Sequence, residues 1–67
     1  MVRPGDRFEV ERFLRQQGYK PIRAVGPHII WGKPGHASVS LSHSRRVSQG
    51  VMRRIKQTVG FLPNRWK

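Results

Sequence analysis

The segment Gly26-Pro27-His28-Ile29-Ile30 places an imidazole where it can do chemistry. A histidine that opens a strand directly after a Gly-Pro turn sits at the rim of a sheet, held by backbone on both sides and open to solvent. An imidazole has an ordinary pKa of about 6.5 and exchanges a proton near neutrality. On RNA such a group has a ready task. Acting as a base, it takes the 2′-OH proton, and the freed oxygen attacks the adjacent phosphorus. Cations can stabilise the charge on the phosphoryl oxygens, so the reaction needs no metal. The plain alternative is a half-exposed strand histidine with no chemistry. His43 is a second candidate, and its plain reading is a solvated loop histidine. His36 falls in a hairpin loop and is assigned no role. The chain has no Cys, which excludes disulfides and Cys-ligated zinc. Its three His and three acids are scattered, so neither a metal site nor a cofactor is expected.

The surroundings of that histidine are cationic. There are 14 Lys+Arg against 3 Asp+Glu, a formal charge of +11. The acids Asp6, Glu9 and Glu11 all precede residue 12, and twelve basic residues follow with no acid among them. Such a field attracts polyanions and speeds their capture. Arg45, Arg46, Arg53, Arg54 and Lys56 cluster in a polar loop and a second helix, where phosphate contact is the natural reading. Lys33, in a hairpin loop, is a further RNA-binding candidate. Arg23 neutralises a phosphate beside His28 if the two side chains share a face. The alternative for all of these is a solvated helix or loop surface. An anionic membrane is a weaker partner, because neither helix has the bulky apolar face that surface binding needs. No apolar run approaches the roughly 20 residues of a membrane-crossing helix. No signal-peptide core is seen, so the expected location is cytoplasmic.

Positioning these groups falls to five elements. Residues 1–5 read as a loose start. Asp6 is a helix N-cap with Glu9 at capping-box spacing. Val10, Phe13, Leu14 and Gln17 recur at helical spacing, which predicts a helix over Asp6–Gln17, stopped by Gly18. Tyr19–Val25 reads as a strand that Pro21 restricts to an edge or a late start. His28–Trp31 is the strongest strand signal, and Gly32–Gly35 is a hairpin loop. Ala37–Leu41 alternates apolar and polar residues as a half-buried strand does. His43–Val47 reads as a loop, and Ser48 caps a second helix with Val51, Met52, Ile55 and Val59 on its apolar stripe. Gly60 and Pro63 end it. Strand alternation sends Trp31 to the core if His28 faces solvent. Trp31 and Tyr19 could stack on bases, but an aromatic at such a strand position is more often core, and Trp66, near a basic end, is the freer aromatic.

The expected fold is α+β in the order α-β-β-β-α: a three-stranded antiparallel meander with both helices on one face, the other face being polar. This is a double-stranded-RNA-binding-domain-like layout. One domain spans residues 1–67, its core about 6–62 and a basic tail at 63–67.

The ordered set of motifs resembles a family. Gly26-Pro27-His28-Ile29-Ile30-Trp31 is similar to the Gly-Ser-His-His-aliphatic-aromatic signature of HicA, the toxin of a bacterial type II toxin–antitoxin pair. Phe13-Leu14 followed by Gly18-Tyr19 resembles the end of that family's first helix, and Arg23 matches its basic residue before the Gly. Leu41-Ser42-His43 resembles its Pro-x-His. Gly50-Val51-Met52-Arg53-Arg54-Ile55 with Gly60-Phe61 resembles its second helix. The likeness covers about residues 6–61. It implies a metal-independent mRNA endoribonuclease whose catalytic histidine maps onto His28, inhibited by a HicB-type antitoxin. Pro27 stands where the signature has Ser, Ile29 where it has the second His, and Leu41 where it has Pro. Those departures keep a second expectation in play, a non-catalytic RNA-binding module of the same fold. A third is a protein-binding module whose basic surface serves an acidic partner.

Overall fold

The computed structural model of the chain describes residues 2–67. Its elements are β1 (Gly5–Asp6), α1 (Arg7–Gln16), β2 (Lys20–Val25), β3 (His28–Gly32), β4 (Val39–Ser42), β5 (Arg46–Val47), α2 (Gln49–Val59) and a short 3-10 turn (Asn64–Trp66). The fold is α+β, with an antiparallel three-stranded sheet in the order β2-β3-β4 and a separate antiparallel pair of β1 with β5.

Local chemistry sets the helix ends. Asp6 caps α1, its carboxylate accepting from the Phe8 and Glu9 N–H groups at 3.1 and 3.2 Å. At the other end Gly18 adopts φ +91°. The N–H of Tyr19 donates to the Leu14 carbonyl and that of Gly18 to the Arg15 carbonyl, the paired bonds of a Schellman stop. This stop turns Tyr19 into the core beside Leu14. Ser48 caps α2 by accepting from the Val51 N–H, and Gly60 closes it in a left-handed conformation.

Both helices bury their apolar faces on one side of the sheet. Val10, Phe13 and Leu14 of α1 and Met52 and Ile55 of α2 join Trp31, Val39 and Leu41 in a single core. Val51 and Val59 are half-buried at its margin. Alternation along β3 and β4 accounts for the split: Ile29 pairs with Leu41 and Trp31 with Val39 on the core side, while His28 pairs with Ser42 and Ile30 with Ser40 on the other. The third strand begins at Val39, so Ala37 and Ser38 belong to the preceding loop.

Four sequence expectations change. Residues before α1 are not loose: Gly5 is buried, forms β1 with Asp6, and pairs with Val47. The 43–47 segment is not all loop, because Arg46–Val47 completes that pair. The far sheet face is mixed rather than polar, since the β2 bulge between Pro21 and Arg23 leaves Ile22 58% exposed, with Val25 53% exposed nearby. The tail is not free either. Leu62 is buried as expected, but Trp66 is also only 4% exposed, so the core extends past residue 62 through residue 66. Tyr19 takes the core alternative, so neither it nor Trp66 is an open stacking platform.

The Tyr19 hydroxyl is buried without a hydrogen-bond partner among the described residues. An unpaired buried hydroxyl costs stability, so Tyr19→Phe should gain about 1 kcal/mol. For a domain of this size that is a rise in Tm of about 4–8 °C. A melting curve that falls instead would mean the hydroxyl is held.

Candidate functional site

The turn between β2 and β3 fixes the histidine. Val25 pairs with His28, leaving Gly26-Pro27 as a two-residue connection. Gly26 takes φ +57°, at the first central position where type II′ hairpin turns require glycine. His28 therefore starts β3 on a short, tightly determined turn, and its side chain is exposed on the face of the sheet that no helix covers.

Strand pairing places three residues around it. Ser42 lies directly opposite His28 on β4, at the spacing where cross-strand Cβ atoms are about 4.5–5.5 Å apart. The Ser42 hydroxyl accepts from the Ser44 N–H at 3.4 Å, which holds it at the strand end. Arg23 pairs with Ile30, two residues along β2 from the Val25–His28 pair, so it shares the open face with His28. A diagonal neighbour of this kind lies within reach of a long side chain. His43 is tied to the same corner, its N–H donating to the Pro27 carbonyl at 3.2 Å. Arg7 of α1 secures the segment from the other side, its guanidinium donating to the His43 carbonyl. Arg23, His28 and Ser42 thus share one end of the open face, and the His43 backbone is tied to the same corner.

Position 29 has the opposite aspect. Ile29 pairs with Leu41 and packs against the core. The residue that stands for the second histidine of the resembled signature therefore points away from the face that carries His28.

The remaining cations fall into separate groups. Arg45 and Arg46 are exposed in and beside β5, lining a 220 Å³ hollow with Pro4, Gly5 and Asp6. Arg45 follows Ser42 by three positions, so its backbone is within about 11 Å of the His28 corner. Arg53, Arg54 and Lys56 are exposed on α2. They do not flank His28: α2 packs on the core face, which puts them in the helical layer behind the sheet. Arg53 and Lys56 line a 480 Å³ hollow there with Val2, Gln57 and Gly60. Lys33 lies at the far end of the sheet from His28, its ammonium 5.7 Å from the centre of the Tyr19 ring.

The electrostatics are one-sided. Among the described residues the only ion pair is Arg7 with Glu11, at 3.8 Å on one turn of α1. The basic groups of the sheet, the 43–47 segment and α2 are left without acidic partners, which is the arrangement that draws and holds a phosphate chain. No helix among the described residues is long and apolar enough to cross a membrane, and no three His, Asp or Glu side chains among them lie close enough to hold a metal ion. Sequence reasoning left His43 unplaced and gave Ser42 no role. Their placement depends on the β3–β4 register, which strand alternation alone does not supply. No family model matches the chain, and no curated protein or solved structure matches it.

Proposed function

We propose that this chain is a HicA-like endoribonuclease, a toxin that cuts mRNA without a metal and is held in check by a HicB-type antitoxin. The observation that carries the reading is the exposed His28 on the uncovered sheet face, with Arg23 on the same face and Ser42 directly opposite. His28 takes the proton from a ribose 2′-OH. The 2′-oxygen attacks the neighbouring phosphorus, the bond from phosphorus to the 5′-oxygen breaks, and the leaving oxygen takes up a proton. The products are a 2′,3′-cyclic phosphate and a 5′-hydroxyl. Arg23 and the Ser42 hydroxyl are the groups positioned to stabilise charge on the phosphoryl oxygens. Ser42 can supply a hydroxyl beside the phosphate where the resembled signature has the serine that Pro27 replaces.

Arg45 and Arg46 extend the cationic surface from the same corner and would hold the flanking backbone. Arg53, Arg54 and Lys56 would contact RNA only where the strand passes around to the helical layer. On this reading the protein works on cytoplasmic mRNA with a double-stranded-RNA-binding-domain-like fold. The cationic corner is also what an acidic antitoxin would cover.

The mechanism makes the 2′-OH the nucleophile. A single-stranded RNA should therefore be cut in the presence of a metal chelator, and the same strand with 2′-deoxyribose throughout should bind and remain intact. Cleavage of the all-deoxy strand would exclude this chemistry. Salt-sensitive binding with no cutting of either strand would leave an RNA-binding module.

A further inference from the structure

At the opposite end of the sheet from His28 lies a cleft of about 400 Å³ lined by Lys20, Ile22, Gly32, Lys33, His36 and Ser38, with no part in the chemistry above. We infer that it is a nucleobase pocket, which receives an unpaired base of the RNA strand and favours bases carrying an exocyclic amino group. The inference rests on the reading of the chain as an RNA-binding protein, but not on catalysis.

Three features of the cleft point to a base. Its wall is apolar and exposed: Ile22 is 58% exposed on the β2 bulge, and it lies over Gly32, where an added Cβ would come within 2.8 Å of the Ile22 Cδ1. Glycine at 32 is what lets this side chain lie flat along the sheet, giving a broad apolar surface for a planar ring. Its rim is cationic, with Lys20 and Lys33 and no acid. The Lys33 stem runs over Gly18, where an added Cβ would be 3.3 Å from the Lys33 Cε, and its ammonium is 5.7 Å from the centre of the Tyr19 ring. Lys33 is thereby held near the cleft rather than swinging free. A flat apolar wall beside a held lysine matches a base with its attached phosphate.

The third feature gives selectivity. His36 Nδ1 is 3.1 Å from the Pro34 carbonyl, an acceptor, so Nδ1 carries the proton. In the neutral ring Nε2 is then an acceptor. The ring is braced by an edge contact with Tyr19, the centroids 6.3 Å apart. An acceptor at this place suits the amino group of adenine or cytosine, which uracil lacks. The Ser38 hydroxyl adds a group that can donate or accept. Gly32 follows His28 by four positions along β3, about 13 Å of strand. A few nucleotides of extended single strand span that distance, so one RNA chain can occupy both ends of the open face.

The test uses the His28→Ala chain, so that bound RNA is not consumed, with fluorescent oligo(A), oligo(C) and oligo(U) of equal length. Oligo(A) and oligo(C) should bind about threefold to tenfold more tightly than oligo(U), the value of one hydrogen bond. Adding His36→Ala should bring that ratio close to one with the melting curve unchanged. Adding Lys33→Ala should weaken all three oligomers alike and lower the slope of log affinity against log salt by about 0.7, one phosphate contact on a single strand. AMP and CMP should shift the amide resonances of Gly18 and Gly32. No preference in the parent, a preference that survives His36→Ala, or shifts confined to other residues would each overturn the inference. The two readings fail separately. A chain that cuts no RNA yet shows the His36-dependent preference loses catalysis and keeps the pocket. A chain that cuts RNA with no such preference does the reverse.

Discussion

His28→Ala should lower the rate of RNA cleavage by about 10²- to 10⁴-fold, the usual contribution of a positioned general base. RNA affinity should change little, and the melting curve should not move. The stability forecast follows from place. His28 is exposed, it begins a strand whose bonds to β2 and β4 are made by backbone, and its ring is not part of the core. Alanine removes the imidazole and keeps those ladders. The affinity forecast follows from charge. The permanent positive charge around the corner is that of Arg23, Arg45 and Arg46, which the substitution leaves intact. The variant therefore separates proton transfer from binding. If His28→Ala cuts RNA at the parent rate, the catalytic assignment falls, whatever the affinity.

Arg23→Ala gives the complementary pattern. It should weaken binding and slow cleavage together, because the same guanidinium would hold the phosphate and meet the charge that develops on it. Such a parallel loss separates an arginine that acts at the phosphate from one that merely decorates an edge strand.

Much of this corner was legible in the residues. The Gly26-Pro27 turn and the strand that follows set His28 at a rim, and alternation sent Trp31 to the core and left His28 open. The five main elements fall close to their expected places because each has strong local signals: Asp6 and Ser48 as caps, Gly18 and Gly60 as stops, and an apolar stripe on each helix. What could not be read was pairing over long separations. The β1–β5 pair joins residues some forty positions apart through two strands of two residues each, too short to carry a periodic pattern. The 42–43 corner depends on register between strands. The cleft around His36 depends on a bulge at Ile22, which nothing but the paired strand specifies. The sequence groups the α2 cations with Arg45 and Arg46 in the cationic surroundings expected for His28. Their helix instead packs behind the sheet, since its Met52 and Ile55 must reach the core.

Trp66→Ala should unfold the protein or nearly so. The ring is 4% exposed and stands edge-on to Phe13 with centroids 5.6 Å apart, and Phe13 in turn meets Phe61 at 5.4 Å. The backbone is bound as well, since the Arg3 N–H donates to the Trp66 carbonyl at 2.7 Å. Gly5 lies against the indole, where an added Cβ would be 3.1 Å from Nε1. The indole therefore fills the space between α1 and β1, and Arg65 covers its outer side, 4.5 Å from the ring centre. Truncating a buried tryptophan costs about 3–5 kcal/mol. A chain of 67 residues has a total of only roughly 3–10 kcal/mol at the usual stability per residue. The expected fall in Tm is at least about 12 °C. Arg65→Ala removes only the cation above the ring and should cost about 0.5–1 kcal/mol, which sets the scale of a surface effect at the same place. The alternative held by the sequence, an open tryptophan that stacks on bases, makes the opposite forecast for Trp66→Ala: an unchanged melting curve and weakened RNA binding. Circular-dichroism melting of the two variants decides between them. An intact Trp66→Ala domain would mean that the tail does not close the core. The β1–β5 pair, and with it the placement of Arg45 and Arg46 beside His28, would then have to be held by the 43–47 segment alone.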